Sequence, residues 1–276
     1  MKQEITTCFQ TECPWRDTLY WYPRIDSTNT EAKRLACNGA PHGTVLVAGH
    51  QTAGRGRLGR HFSSPEGMGV YLSVILRPGC PARELMHLTC AAAVAACKAL
   101  EDACGFTPQI KWTNDLVYAG RKLGGILTEL SVNSATGSVD YAIVGIGINC
   151  QQKNVNFPEE LWNMAISATE ITGAPCSPAK VAAALIEALY DMSGSLLTQK
   201  AACLQAYKKF CMTLGKDIVL VRGQEKRYAT AIDLDENGAI TAITIGDDRF
   251  SETEGFGEKA KGKDYIKNWV AVIGDS

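Results

Sequence analysis

Arginines, amides, hydroxyls and carboxylates lie beside glycines at several points of the chain, and one such stretch is GRGRLGR, residues 54–60. Arg55 and Arg57 carry forked guanidinium groups that suit carboxylates and phosphates, and the glycines let the backbone approach a ligand closely. The letters fit the dinucleotide fingerprint and nearly fit the phosphate loop, but both motifs need a helix directly afterwards, whereas a strand is predicted here. We interpret the stretch as an anion-binding loop that orders around a ligand, and a solvated turn is the alternative.

The stretch KWTNDL, residues 111–116, brings a cation, an amide and a carboxylate to the end of a predicted strand. Asn114 and Asp115 either cap a turn or hold a nucleotide or a hydrated Mg²⁺. Lys122 follows seven residues after Asp115 and comes just before a Gly-Gly pair. A lysine in this position can reach a ligand above a flat backbone, or it can be an ordinary exposed hairpin lysine.

The stretch DSTN, residues 26–29, offers the hydroxyls of Ser27 and Thr28 and the amide of Asn29. Thr28 and Glu31 predict a capping box for a helix that continues to about residue 36. Capping uses one of these groups and leaves the others free to bind a polar, uncharged group such as a urea.

The stretch IVGIGIN, residues 143–149, has the period of a β-strand and places Gly145, Gly147 and Asn149 on one face. A central strand with a bare glycine face loses packing, so either a ligand or a closely packed neighbour must fill the space. Because Asn149 continues this face with a polar group, we favour a ligand.

A folded core must position these stretches, and hydrophobic period and turn residues predict its elements. Strands are expected near residues 19–25, 43–51, 69–78, 109–130 (a hairpin) and 139–150, and helices near residues 28–36, 84–104, 179–197 and 201–211. From residue 215 the chain changes to short strands, with a DENG turn that is typical of a small β-barrel. The predicted fold class is therefore α/β (α+β), with a mixed central sheet flanked by helices. We place a catalytic domain at residues 1–212 and a smaller domain with a polar tail at residues 213–276.

The composition narrows the function classes. The hydrophobic fraction of 46% is typical of a soluble globular protein. The formal net charge of −1 gives the molecule no overall positive potential that would attract nucleic acid or anionic membranes. The 11 cysteines include no C-x-x-C pair, which argues against zinc-ribbon and thioredoxin motifs and favours a reduced, cytoplasmic location. The chain shows neither a signal-peptide pattern nor an apolar stretch long enough to span a bilayer.

Five stretches resemble the motifs of the biotin protein ligases in their order and in their spacing. They are DSTN, HQTAGRGRLGR, KWTNDL, RKLGGIL and GIGIN. The resemblance spans roughly residues 25–150. It implies a mixed sheet flanked by helices with an SH3-like barrel behind it. It also implies a two-step reaction in which ATP and biotin form biotinoyl-5′-AMP, and a lysine of a biotin carboxyl carrier protein then accepts the biotinoyl group.

The resemblance also implies roles for individual residues. Those for biotin binding are Ser27, Thr28, Asn29, Gln51, Gly54, Arg55, Arg57, Lys122, Gly125 and Leu127. Those for ATP and the adenylate are Arg57, Lys111, Asn114, Asp115, Lys122 and Asn149. Lys122, Arg57 and Arg55 would be catalytic, and Asp115 would hold Mg²⁺ through water.

Some positions depart from the family pattern, among them Thr113, where proline is common, and Phe62, near a tryptophan that stacks on adenine in some members. About 25 residues precede DSTN, so we expect the short class without an N-terminal DNA-binding domain. The oligomeric state is left open, a homodimer included. The alternatives are a lipoate or octanoate ligase of the same fold, which would need no partners for a urea, and a non-catalytic binding module, which would release no pyrophosphate.

Overall fold

The structure is a computed structural model that describes residues 1–222, 224–244, 263–265 and 270–273. Its larger sheet contains seven strands. They are Leu19–Tyr22 (β1), Thr44–Ala48 (β2), Gly69–Leu76 (β3), Gln109–Lys111 (β4), Asp115–Tyr118 (β5), Arg121–Val132 (β6) and Val139–Asn149 (β7).

The strand order is β1-β2-β3-β7-β6-β5-β4, in which only β1 and β2 pair in parallel. The expectation of a mixed central sheet is therefore confirmed. The strand β7 is central, and its Val144, Ile146 and Ile148 are buried in the main core. Because side chains alternate along a strand, Gly145, Gly147 and Asn149 face the opposite side of the sheet.

Six helices lie in the described residues. They are Lys2–Thr7 (α1), Thr28–Cys37 (α2), Leu88–Cys104 (α3), Ala168–Thr172 (α4), Pro178–Ser195 (α5) and Lys200–Phe210 (α6). The helices α3 and α5 pack together against one face of the sheet, and small alanines permit their close approach. The helix α2 covers part of the other face. Of the helices in the described ranges, none is both long and apolar enough to cross a lipid bilayer.

Two helix starts differ from the expectation. The helix α3 begins at Leu88 rather than Glu84, because Ala82–Leu85 forms a separate 3-10 turn. The capping box of Thr28 and Glu31 is wrong, since Ser27 is the N-cap and makes no side-chain cap bond. The Thr28 amide instead donates to Gln51 Oε1 at 2.8 Å, so a side chain from a distant loop satisfies the helix start.

The second sheet contains Asp217–Arg222 (β8), Glu225–Leu234 (β9), Ile240–Thr244 (β10), Lys263–Tyr265 (β11) and Val270–Ile273 (β12), in the order β11-β10-β9-β8-β12. Its closure into an SH3-like barrel stays a prediction. The expected polar tail, residues 252–264, lies outside the described residues except for its last two. In the β9–β10 turn, the Gly238 carbonyl accepts a hydrogen bond from Trp112 Nε1 at 2.9 Å, which ties this sheet to the KWTNDL stretch.

Candidate functional site

Residues 54–62, here called the arginine loop, form a tight hairpin. The Phe62 amide donates to the Gly54 carbonyl at 2.9 Å, and the Gly56 amide donates to the Arg60 carbonyl at 2.7 Å. Gly54 has no room for a side chain, because an added Cβ would lie 2.8 Å from Ser64 Oγ and closer still to the Phe62 carbonyl oxygen. Leu58 lies at the tip with φ 55° and is 74% exposed.

A cluster of charged and amide groups lies where β5 and β6 meet the arginine loop. Lys122 Nζ is 2.7 Å from Asp115 Oδ1, and Asn114 Nδ2 donates to the same oxygen at 3.3 Å. Arg57 Nη1 donates to Asn114 Oδ1 at 2.9 Å, which holds the loop over the KWTNDL stretch. Lys111 lies opposite Asp115 in the β4–β5 hairpin. The structure therefore brings together four polar residues predicted to serve ATP and places Lys111 at the adjoining strand end.

The backbone around Lys122 fixes where its side chain begins. Its amide donates to the Met164 carbonyl at 2.7 Å, and its carbonyl accepts from the Ile166 amide at 2.9 Å. The preceding turn, with positive φ at Ala119 and Gly120, sets the β5–β6 pairing. A change confined to the lysine side chain should therefore leave this backbone in place.

The residues predicted to bind a urea gather at a second, buried cluster. Thr28 Oγ1 and its amide both lie within hydrogen-bond distance of Gln51 Oε1, and Gln51 Nε2 donates to Ser64 Oγ at 3.0 Å. Ser73 Oγ lies 2.8 Å from Thr28 Oγ1 and 2.7 Å from Asn29 Oδ1. Ser27, at the start of the helix, is also buried. Apart from Ser27, these groups form one hydrogen-bonded network at the N-terminus of α2.

The strand β6 connects the two clusters. Gly125, Leu127 and Glu129 share the face that α2 covers, because residues two apart in a strand point the same way. Gly125 lies at the charged end, where a Cβ would be 3.5 Å from Lys122 Cε. The Leu127 carbonyl accepts from Asn29 Nδ2 at 3.3 Å at the polar end. The four residue steps from Gly125 to Glu129 cover roughly 13 Å, which suits a ligand with a polar head and an acidic tail.

Glu129 is a residue of the site that the sequence reasoning missed. Its carboxylate accepts from Asn29 Nδ2 at 2.9 Å, from Lys33 Nζ at 2.6 Å and from both Nη atoms of Arg55 at 3.1 Å. Burial raises the pKa of Glu129, but hydrogen bonds from Lys33 and Asn29 and the charges of Arg55 and Lys33 outweigh burial and leave its pKa below the ordinary value. The sequence signal for Glu129 was its spacing, because it lies two and four residues after Leu127 and Gly125 and therefore on the same face of the strand.

The bare glycine face of β7 is filled by packed neighbours. A Cβ on Gly145 would overlap the Asn29 side chain, and a Cβ on Gly147 would lie 2.5–3.0 Å from atoms of the Phe62 ring. Phe62 also packs edge-on against Tyr71, with ring centroids 6.5 Å apart. The preference for a ligand directly on these glycines is therefore wrong for Gly145 and Gly147, and the alternative of a close neighbour is what the structure has.

The amides of Asn149 and Asn29 are used by the protein itself. Asn149 Nδ2 donates to the Ile166 carbonyl at 3.1 Å and to the Lys122 carbonyl at 3.4 Å, and Asn149 Oδ1 accepts from Gln152 Nε2 at 3.3 Å. Asn149 thereby positions the strand end that carries Lys122. Its predicted contact with an adenylate stays a prediction.

Asp115 is the carboxylate of the charged cluster that could help to hold a metal ion. Within the described ranges, no group of three or more His, Cys, Asp or Glu side chains is arranged to hold an ion by itself. Mg²⁺ needs less than this, because it keeps several waters and binds through one or two carboxylates plus substrate phosphates. Asp115, 27% exposed and beside Lys122 and Arg57, fits that limited role.

The chain is similar to proteins of a known family. Residues 21–149 match the model of the biotin/lipoate A/B protein ligase family. The bifunctional ligase/repressor BirA of Bacillus subtilis is 33% identical over 244 residues, which cover 88% of this chain and 74% of that protein. The chain belongs to the biotin/lipoate A/B protein ligase family.

Other members of the family agree with this placement. The biotin–[acetyl-CoA-carboxylase] ligase of Paracoccus denitrificans is 33% identical over 79% of this chain and 90% of its own length. A solved biotin protein ligase of Aquifex aeolicus, in complex with biotin and ATP, is 28% identical with a TM-score of 0.69, over 93% of this chain and 99% of that one. The resemblance of the five motifs to biotin protein ligases is thus confirmed, and so is the expected catalytic fold.

Proposed function

We propose that this protein joins biotin to a lysine of a biotin carboxyl carrier protein, using ATP and a biotinoyl-5′-AMP intermediate. The observation that carries the proposal is the pairing of two clusters along β6. A network of hydroxyls and amides around Thr28 and Gln51 lies at one end, and the Lys122–Asp115 pair with Arg57 lies at the other. The relatives that are named as biotin ligases support this reading over a lipoate ligase.

The charged cluster fits the first chemical step. A biotin carboxylate oxygen attacks the α-phosphorus of ATP, a bond to phosphorus forms, and pyrophosphate leaves with the electrons of the broken bond. Both reactants are anions, so positive groups must bring them together and stabilise the crowded phosphorus. Lys122 and Arg57 would do this, and their membership of the cluster around Asn114 and Asp115 supports the role.

A divalent ion would share this work when it is bound, since Mg²⁺ neutralises phosphate oxygens and orients the leaving group. We propose that Asp115 holds Mg²⁺ through water and that the phosphates of ATP supply the remaining ligands. The hydrogen bonds of Lys122 and Asn114 to Asp115 keep the carboxylate oriented in the cluster.

The arginine loop fits the need to protect the intermediate. An acyl-adenylate is hydrolysed readily, so the site must exclude water until the acceptor lysine arrives. Arg57 already spans from the loop to Asn114, which marks where the loop meets the charged cluster. The amine of the carrier lysine then attacks the biotinoyl carbonyl carbon, an amide forms, AMP leaves and a proton is lost from the amine.

We also propose that residues 1–212 form the catalytic domain and residues 213–276 a second one. The link between Trp112 and Gly238 supports a role for the second domain in bracing the KWTNDL stretch. In this arrangement the ligand-binding residues all belong to the first domain.

The test is ATP–pyrophosphate exchange with the purified protein, dependent on added biotin, run in parallel with lipoate and with octanoate. Lys122→Met, purified in the same way, controls for a contaminating host ligase. We expect exchange with biotin alone and transfer of biotin to a carrier domain. Exchange with lipoate or octanoate but not with biotin would identify the protein as a lipoate or octanoate ligase. Exchange with none of the three would favour a non-catalytic binding module.

A further inference from the structure

Glu129 links three elements that meet at the polar end of the site. Asn29 and Lys33 come from α2, Arg55 comes from the arginine loop, and Glu129 comes from β6. The Glu129 side chain is only 16% exposed, whereas the Arg55 side chain is 42% exposed. The carboxylate is therefore the inner member of the cluster, and the guanidinium group lies at its rim.

The contact between Arg55 and Glu129 uses the full fork of the guanidinium. Nη1 donates to Oε2 and Nη2 donates to Oε1, both at 3.1 Å. Such paired bonds fix the orientation of both side chains as well as their distance. An arginine held in this way has both Nη groups committed to the carboxylate, so its fork is not free to bind a second anion.

The position of Arg55 in the loop gives this contact a mechanical effect. Arg55 follows Gly54, whose carbonyl accepts from Phe62, and pairs across the hairpin with His61. The side chain of Arg55 is thus attached where the hairpin leaves the body of the protein, whereas Arg57 lies at its far turn. Fixing Arg55 fixes the base of the loop and leaves its tip to move.

We propose that Glu129 and Arg55 act as a positioning pair that anchors the base of the arginine loop, and that Arg57 rather than Arg55 supplies the loop's charge to the reaction. This inference rests on the proposed function. The pair would act on retention of the adenylate and on biotin affinity, because a loosened loop opens more often. Loss of the Glu129 carboxylate would leave the rate of adenylate formation at saturating biotin nearly unchanged, because the charge that acts on the phosphate is assigned to Lys122 and Arg57.

A plain surface ion pair is the competing explanation, and such pairs contribute little. That explanation predicts small effects on stability and none on ligand retention. A double-mutant cycle with Glu129→Gln and Arg55→Met distinguishes the two explanations. If the pair anchors the loop, the losses in adenylate retention should be non-additive, because the two residues are coupled. Lys33→Met is the matched control, because it removes a cation from the same carboxylate without touching the loop.

The experiment measures three quantities for each variant: the release rate of preformed biotinoyl-AMP in a chase, the single-turnover rate of its formation, and the melting temperature. We expect about a tenfold faster release in each single variant, which is the effect of losing one charge-assisted hydrogen-bonded pair. The double variant should release no faster than the single ones. In Glu129→Gln, formation at saturating biotin should stay within about twofold of the unsubstituted protein, and Lys33→Met should retain the adenylate normally.

Three results would overturn the inference. The first is release losses that multiply in the double variant, and the second is normal release in both single variants. The third is a loss of adenylate formation in Arg55→Met as large as that in Lys122→Met, which would make Arg55 catalytic. If the unsubstituted protein forms no adenylate from biotin and ATP, the proposed function itself fails, and that outcome is visible before any variant is compared.

Discussion

Replacing Lys122 by methionine removes one charge from the site and keeps most of the length of the side chain. The backbone of Lys122 is held by Met164 and Ile166, so the substitution should not displace β6. What is lost is the ion pair of Nζ with Asp115 at 2.7 Å and the positive charge beside the proposed phosphate site. The effect on folding and the effect on chemistry can therefore be separated.

The structure sets the expected size of both effects. The Lys122 and Asp115 side chains are 43% and 27% exposed, so solvent screens the pair and its loss should cost under about 1 kcal/mol of the free energy of unfolding. A positioned group that stabilises developing charge contributes about 10²–10³ in rate, or roughly 3–4 kcal/mol. Adenylate formation should thus fall by at least about a hundredfold while stability changes little.

A neighbouring residue provides the control. Arg121 precedes Lys122 and pairs with Glu170 at 2.6 Å, with side chains 31% and 42% exposed. Arg121→Met removes an ion pair of similar exposure without any proposed role in the chemistry. The assay is single-turnover formation of biotinoyl-AMP at saturating ATP, together with biotin binding measured by calorimetry and unfolding by urea.

The reasoning is refuted if Lys122→Met forms the adenylate at a rate within about threefold of the unsubstituted protein. It is also refuted if Arg121→Met loses as much activity, because the loss would then reflect the strand and not the charge. Retained adenylation with weakened biotin binding would place Lys122 in ground-state binding alone.

Three further expectations follow from the geometry. Gly147→Ala should destabilise the protein by about 1–3 kcal/mol in urea unfolding, because the new methyl group displaces the Phe62 ring. Gly125→Ala, whose methyl group meets only ordinary contacts, should cost under about 1 kcal/mol, and equal losses in the two variants would contradict this. Asp115→Asn should raise the Mg²⁺ concentration for half-maximal exchange by about tenfold, and an unchanged Mg²⁺ titration would exclude Asp115. The pKa of Glu129 is lower in the folded protein than in the unfolded chain, so its ionised form stabilises the fold at any pH above the unfolded-state pKa. This contribution is lost as the pH falls through the folded-state pKa. Glu129→Gln should therefore flatten the decline in stability between about pH 5 and pH 3, and a parallel decline would show that the carboxylate is not responsible.

Most strands could be predicted from the sequence, because the alternation of apolar and polar residues and the residues of the turns are local features of the chain. The hairpin at residues 109–130 and the end of the helix at residue 104 were predicted for this reason, and the structure has positive φ at Ala119 and Gly120 in the hairpin turn and at Gly105 after the helix. The cap of α2 was missed because its acceptor is Gln51, which lies 23 residues away in the chain. No rule based on neighbouring residues can supply a partner from another loop.

The site was predicted in its residue types better than in its contacts. The motifs indicated that Arg57, Asn114, Asp115 and Lys122 serve one ligand, and the structure brings them together. The side-chain bonds of Asn29 to Glu129 and to Ser73 depend on the pairing of distant strands. The same is true of Phe62 over Gly147, since only the assembled sheet shows which ring fills a bare strand face.

The hydrogen bond from Trp112 to Gly238 has a practical consequence for engineering. A truncated protein that stops at residue 212 would keep every residue proposed to bind biotin or ATP. It would nevertheless expose an indole N–H that the full chain satisfies, and it would remove one of the hydrogen bonds that hold the stretch carrying Asn114. A split reporter or an inserted tag should therefore avoid the turn at residues 235–238. The turn at residues 133–137, in which every residue is exposed, is the better insertion point.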